Sequence, residues 1–414
     1  MLNMRYWHAL RGVVRLLGLA TLLCAAELSY AQPDAVTLAE AVRAALKRYP
    51  GAELAQVIRR QGDAIREQAD RLLAAEPALM LRHENDAWAD DDGYRQWEGG
   101  VAMPLWLPGQ KDARGRVAEA TQVEAEATAR LQHWQVAGEV RELLWSLRIA
   151  QADAELANQA LAGARKLERE VSRRVQAGEL ARMDLILAQQ ETLAAEMEGA
   201  RAGARQRTMQ LKYKTVTGLE SLPRAFAERV SVPTRIGDEH PVLAARRVVA
   251  ERSRAERDQA RGEKHFNPVL TLGGKSERPE SGFSYDHALI AEVNIPIGGG
   301  AYAAPRVAAA ERDLAEAAVE VARTRRQLEQ ELIEALNARG EAAQTSQLAA
   351  RQHQLAVEAL RLARRAFELG ESSLLVVLET RRKALAATRE FRISEIELGH
   401  AEASVNQALG VIPE

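Results

Sequence analysis

The chain is 414 residues long, 28% charged and only 4% aromatic, with a net charge of −2. That balance excludes an electrostatic grip on nucleic acid, which needs a basic stripe, and so few aromatics suit long helices with thin alanine-lined seams rather than a broad aromatic core. The single cysteine, Cys24, excludes a disulfide framework.

Residues 1–31 read as a secretory signal. Arg5, Arg11 and Arg15 form a basic start, Leu16 to Ala26 an apolar stretch, and Ser29-Tyr30-Ala31 offers small residues where a signal peptidase cuts. The apolar run is too short for a spanning helix and has no stop-transfer flank. Leu23 stands before Cys24 where a lipidation site wants a small residue, which disfavours a lipid anchor.

The remainder says the same thing twice at an offset of about 191 residues. Tyr49-Pro50 matches His240-Pro241, Glu76-Pro77 matches Asn267-Pro268, and Met103-Pro104-Leu105 matches Ile295-Pro296-Ile297. Arg116-Val117-Ala118 matches Arg306-Val307-Ala308, Gly178-Glu179 matches Gly370-Glu371, and Gly218 matches Gly410. A first structural repeat is therefore expected over 32–219, a linker over 220–240, and a second repeat over 241–414.

Taken in order, Thr37 with Glu40 three positions on is a capping box that opens a helix over 37–75. Its counterpart runs from Pro241 to Lys264. Two alternating segments follow in each repeat, 78–86 with 95–107 and 268–276 with 284–297, giving hairpins over 77–107 and 268–297. In the first, Trp97, Val101, Met103, Leu105 and Leu107 share one face, and Gln96, Glu98, Gly100 and Ala102 the other. In the second, His287, Leu289, Ala291, Val293, Ile295 and Ile297 oppose Asp286, Glu292 and Asn294. A period of two over about ten residues marks a strand with one apolar and one polar face, long enough to cross a bilayer when tilted. Trp88, Tyr94, Trp97, Trp106, Phe266, Phe283, Tyr285 and Tyr302 cluster around these segments, as an interfacial girdle would. A soluble sheet with one solvated face fits the alternation equally well.

Pro108-Gly109 and Gly298-Gly299-Gly300 are the strand-to-helix joints, and long helices are expected over 110–218 and 306–409. From Val117 to Val175 the apolar positions recur at a mean step near 3.5, the seam of a left-handed coiled coil. A helix from Gln110 to Ala177 is roughly 100 Å long at 1.5 Å per residue. Four strands are too few to close a barrel, and open edges in lipid cost several kcal/mol per unpaired group. If the strands enter a membrane, the chain must oligomerise.

With these features in place the chain resembles the TolC-like outer-membrane efflux proteins. The resemblance rests on Val36-Thr37-Leu38-Ala39-Glu40-Ala41, on the duplicated plan, and on two turns, Arg174–Asp184 and Arg365–Glu379. It implies a mainly α fold with a small β part: long antiparallel coiled-coil helices and four membrane strands per chain. As a homotrimer these form a 12-stranded barrel in the outer membrane of a Gram-negative bacterium and a helical tunnel in the periplasm. It further implies a passive exit duct that receives cargo from an inner-membrane pump, of the RND type, through a periplasmic adaptor. Adaptor contact falls to the tips: Arg174, Val175, Ala177, Gly178, Glu179 and Leu180 in one turn, Leu369, Gly370, Glu371 and Ser372 in the other. Asp184 and Glu379 are the implied pore constriction, with ordinary surface acids as the alternative. Ser372 and Ser373 stand where some relatives carry a salt-bridging basic residue. The first turn looks most like heavy-metal cation channels of the cobalt–zinc–cadmium type. A type I protein secretion channel and a structural envelope coiled coil are the competing readings.

Other signals carry no chemistry. The eight histidines include no pair at helical spacing, so no metal site is expected. Asp90-Asp91-Asp92-Gly93 lacks the alternation of a calcium loop and reads as a solvated extracellular turn. Gly298-Gly299-Gly300 lacks the Lys-Ser/Thr of a phosphate loop. No nucleophile–base constellation and no cofactor motif can be assembled, so no enzyme is expected.

Overall fold

The described residues of the computed structural model are 36–88, 91–232, 234–298 and 300–413. The expected signal segment with Cys24 lies outside them, as do Asp90 and Gly299.

Helix α1 (Leu38–Leu46) opens on the expected capping box. Glu40 N–H donates to Thr37 Oγ1 at 3.2 Å, and Thr37 N–H donates to the Glu40 carboxylate at 2.8 Å. That second bond holds the Glu40 carboxyl below its ordinary pKa. The sequence pattern reads as one helix over 37–75, but the chain breaks at Tyr49-Pro50-Gly51 and resumes as α2 (Ala52–Asp70). Proline lacks the N–H that would continue the ladder and drives the residue before it out of the α region. Gln132 secures the break by donating to the Gly51 carbonyl at 2.6 Å.

Strands β1 (Ala78–Asn85), β2 (Arg95–Pro104), β3 (Val269–Arg278) and β4 (Asp286–Asn294) form one antiparallel sheet in the order β1-β2-β3-β4. Gly99 faces Gly274 and Gly100 faces Gly273 at its centre. A Cβ on Gly273 would collide with the Gly99 carbonyl oxygen and lie 2.7 Å from Gly100 Cα. The two middle strands approach this closely only because both carry glycine there.

From the joints run α3 (Gln110–Gln176) and α4 (Arg182–Thr217), then, past the linker, α5 (Pro241–Gly262), α6 (Gly300–Glu368) and α7 (Leu374–Ala408). The last long helix starts six residues before the expected 306 and takes Pro305 into its second turn, forgoing one backbone bond. α3 pairs with the shorter α4, and α6 with the shorter α7; α2 and α5 flank α3, and α3 also touches α7. The seam of α3 is buried at Val117, Ala137, Val140, Leu144, Leu147, Ala150, Ala154, Ala157, Ala164 and Val171. Val123 is 46% exposed. A second buried line, Ala118, Thr121, Ala125, Gln132 and Val136, appears where α2 and α5 close in from the sides.

The linker is held by ionic and amide contacts. Arg141 of α3, 3% exposed, donates two bonds of 2.7 Å to the Glu228 carboxylate and a third, of 3.1 Å, to the Val411 carbonyl. Asn406 accepts from Ser231 N–H and donates to the Arg229 carbonyl, both at 2.9 Å. Removing one partner of such a pair strands a buried charge, so Glu228→Ala should lower stability by about 3–5 kcal/mol. Chemical unfolding of the purified protein measures it, and a loss under 1 kcal/mol would assign the pair no structural role.

Candidate functional site

The alternation in the strands survives as two unlike faces. Register puts Leu79, Val101 and Leu272 in one cross-strand row, and Leu81, Gly99, Gly274 and Leu289 in the next. Met103, Leu270 and Val293 continue the same apolar face. Leu79 is 84% exposed and Leu289 95% exposed. Among the described residues no helix packs across the sheet, and no helix is long and apolar enough to cross a membrane. The opposite face carries Arg82, Glu84, Gln96, Glu98, Lys275, Glu277, Asp286 and Glu292. Among the described residues edge strands β1 and β4 each leave one side unpaired. Aromatics stand at both ends: Trp88, Tyr94, Phe283 and Tyr285 by the hairpin turns, and Trp106, Phe266 and Tyr302 by the helices.

At the joint, an amide pair ties the two halves together. Gln110, 1% exposed, accepts from the Leu107 N–H at 3.1 Å and from Asn267 Nδ2 at 2.9 Å. Asn267 also donates to the Leu105 carbonyl at 2.8 Å.

At the far end of the helices, both expected turns close as Schellman motifs. Gly178 has φ +79° and Gly370 φ +77°. Glu179 N–H donates to the Arg174 carbonyl and Glu371 N–H to the Ala366 carbonyl, each at 2.8 Å. The turns lie side by side over one cluster of Val171, Ala188, Phe367, Leu374, Val377 and Leu378, onto which Val175 and Leu180 pack. Arg174 spans them: its guanidinium sits 4.9 Å from the Phe367 ring centroid and pairs with Glu179 at 3.0 Å. Ala177, Gly178, Glu179, Leu369, Gly370 and Glu371 are exposed, and Ser372 is half-buried. Asp184 accepts from the Ala181 N–H at 3.2 Å and so caps α4. Glu379 is exposed and pairs with Lys383 at 3.1 Å.

Sequence reading missed the contacts between the helix pairs. Arg381 of α7, 3% exposed, donates to the Ala160 carbonyl of α3 at 2.6 Å, while its Nη1 is buried without a partner. Burial pushes its pKa down; Glu191 opposes that shift and Arg364 adds to it. Arg382 faces Glu191 at 3.7 Å, and Arg389 grips Asp153 at 2.7 and 3.1 Å. One signal was legible, because Arg381 occupies a seam position after Leu374, Val377 and Leu378. Among the described residues no three acidic, histidine or cysteine side chains gather as a metal site would require.

A protein-family model described as "Outer membrane efflux protein" matches residues 78–219 and 232–411. The chain belongs to the outer membrane efflux protein family. It is thus an outer-membrane protein of Gram-negative type reaching into the periplasm, with the TolC-like fold of helical tunnel and β-barrel, in a family of channels. The family's channels form trimers and work with adaptor and inner-membrane pump partners. No curated protein matches the chain significantly. Among solved structures, CusC matches with TM-score 0.74 and 17% identity, over 91% of this chain and 93% of that one. The CmeC outer membrane channel of Campylobacter jejuni matches with TM-score 0.71 and 18% identity, over 91% and 86%. VceC of Vibrio cholerae gives 0.71 and 16%, over 90% and 96%. At these identities the likeness is one of fold.

A buried arginine with one carbonyl partner and an unpartnered nitrogen is a poor source of stability. Replacing it by Arg381→Met, similar in volume, should leave the thermal midpoint of this efflux-family protein unchanged or raised, whereas Arg381→Ala should lower it. If the methionine variant destabilises as much as the alanine one, the guanidinium is an essential contact.

Proposed function

We propose that this chain is the passive exit duct of a tripartite efflux system. As a homotrimer it takes cargo from an inner-membrane pump of the RND type through a periplasmic adaptor. The observation that carries the reading is the sheet, whose exposed apolar face and two open edges make sense in lipid only if other copies complete it. Three sheets of four strands give a closed 12-stranded barrel. α6 supports the same assembly, since Val319, Ile333, Leu348, Leu355 and Leu362 are each about half exposed or more. The duplication over 32–219 and 241–414 is supported by the order that α2 and α5 each open, helix, strand pair, long helix, shorter helix, with α1 as an addition to the first half.

Cation cargo, heavy metals included, is supported by the polar face. Its row Glu84–Gln96–Glu277–Asp286 holds three carboxylates, of which Glu277 and Asp286 are direct neighbours, repeated in each copy around the lumen. Asp184 and Glu379 would add acidic rings at the narrow end. The exposed tips from Ala177 to Glu179 and Leu369 to Glu371, with Leu180, Arg174, Val175 and Ser372 holding their shape, offer the adaptor its docking surface.

Reconstituted in planar bilayers, the protein should conduct with a preference for cations that Glu277→Gln with Asp286→Asn reduces. A water-soluble, non-conducting product would overturn the channel reading. A Cβ at Gly178 or Gly370 meets nothing within 4 Å, so the fold of Gly178→Val and Gly370→Val is weakened through the positive φ, at about 1–2 kcal/mol each, while the added bulk stands on the exposed tip. Both variants should assemble and conduct yet lose efflux in cells; unchanged metal or drug tolerance would reject the docking tips.

A further inference from the structure

Two arginines stand where strand chemistry disfavours them. Arg95 of β2 is the direct cross-strand partner of Arg278 of β3. Directly opposed like charges destabilise a sheet, so the pair calls for a compensating group. The register shows which face they share. Arg95 lies on the side of Trp97, Val101 and Met103, and Arg278 on the side of Leu270 and Leu272, the apolar face. All five strand carboxylates, Glu84, Glu98, Glu277, Asp286 and Glu292, project from the other face. Among the described residues Arg95 is exposed and forms no ion pair. Arg278 is held in place: Nε and Nη2 donate to the Gly93 carbonyl at 3.3 and 3.2 Å, and its guanidinium lies 5.5 Å from the Tyr285 ring centroid. Its Nη1 has no acceptor among those contacts. The next row toward the helices is His83–Trp97–Ser276–His287, and the fully apolar rows begin beyond it. The arginines therefore sit at the hairpin end, just outside the hydrocarbon level, on the outward surface of the barrel.

We propose that Arg95 and Arg278 form a phosphate clamp for the phosphorylated glycolipid of the outer leaflet, lipopolysaccharide. This rests on the reading that the apolar face meets lipid. Cross-strand neighbours hold their Cβ atoms about 5 Å apart, so the Arg95 guanidinium can fork onto a phosphate to which Arg278 donates through Nη1, both by charge-assisted bonds. The polar–aromatic row below matches the junction of sugar headgroup and acyl chains, where amphipathic rings settle.

The test uses the full trimer in nanodiscs of neutral lipid, titrated with purified lipopolysaccharide, with its enzymatically dephosphorylated form, and with phosphatidylglycerol. Wild type should bind the phosphorylated form at least ~10-fold more tightly than the dephosphorylated one. Arg95→Gln with Arg278→Gln should abolish that preference, while Arg95→Lys keeps part of it. Single-channel conductance of the same variants should be unchanged, which separates failure of the clamp from failure of the channel reading. If the double variant does not assemble, Arg95→Gln alone serves, because Arg95 makes no contact that the fold relies on. Equal binding of the dephosphorylated form, equal competition by phosphatidylglycerol, or undiminished preference in the variant would each overturn the proposal.

Discussion

A backbone N–H or carbonyl left unpaired in hydrocarbon costs several kcal/mol, and the four-stranded sheet of this chain ends in two such edges among the described residues. Among the described residues the edge strands β1 and β4 have no further neighbour, and the apolar face between them has no cover. Neither defect can be repaired by local adjustment, since both follow from strand number and from the alternation of side chains. The repair is external on both counts, with lipid against the face and another copy of the sheet against each edge. Once the strands are committed in this way, the helices must leave the membrane together in one direction. The Gln110–Asn267 amide pair at the joint then fixes how the two halves depart.

The stalk meets a different constraint. A helix of 67 residues cannot be held by a compact core, so its stability has to be spread evenly along its length. Alanine at half of the buried seam positions, Ala137, Ala150, Ala154, Ala157 and Ala164, allows close approach over that distance, with little hydrophobic gain per residue but many residues contributing. Larger side chains form clusters in two places. Val136, Val140, Leu144, Leu147 and Tyr213 gather with α1 at the level of the linker, and Phe367, Leu374, Val377 and Leu378 gather under the tips. The stalk is therefore pinned at the middle and the end and thinly zipped between.

Much of this was legible in the residues. Local rules carried well: the capping box at Thr37 and Glu40, the period of two in the strands, and the glycine turns at 178 and 370 all appear with the geometry their residue types require. Where two local rules competed, the weaker one was over-read. Proline and glycine at 50 and 51 outweighed the helical periodicity on either side, whereas Pro305 was absorbed into a helix start. What stayed hidden depends on distance in sequence. The Arg141–Glu228 pair spans 87 residues and Arg389–Asp153 spans 236, and no periodicity announces either. The pairing of Arg95 with Arg278 likewise follows only from register, because each alone is an unremarkable arginine near a turn.

That register also explains how one strand pattern can serve two solvents with opposite demands. The face turned to lipid must be free of carboxylates, which are costly in hydrocarbon and repelled by an anionic leaflet. The face turned to water can hold them at little cost, and there they attract cations. Because successive side chains alternate, a slip of one residue in any strand would exchange the two sets. Glu84, Glu98, Glu277, Asp286 and Glu292 would then meet lipid, and the leucines would meet water. The charged residues thus oppose any register slipped by one residue, just as the apolar ones favour the native one. This gives the four strands a defined pairing before any second copy arrives to close the wall.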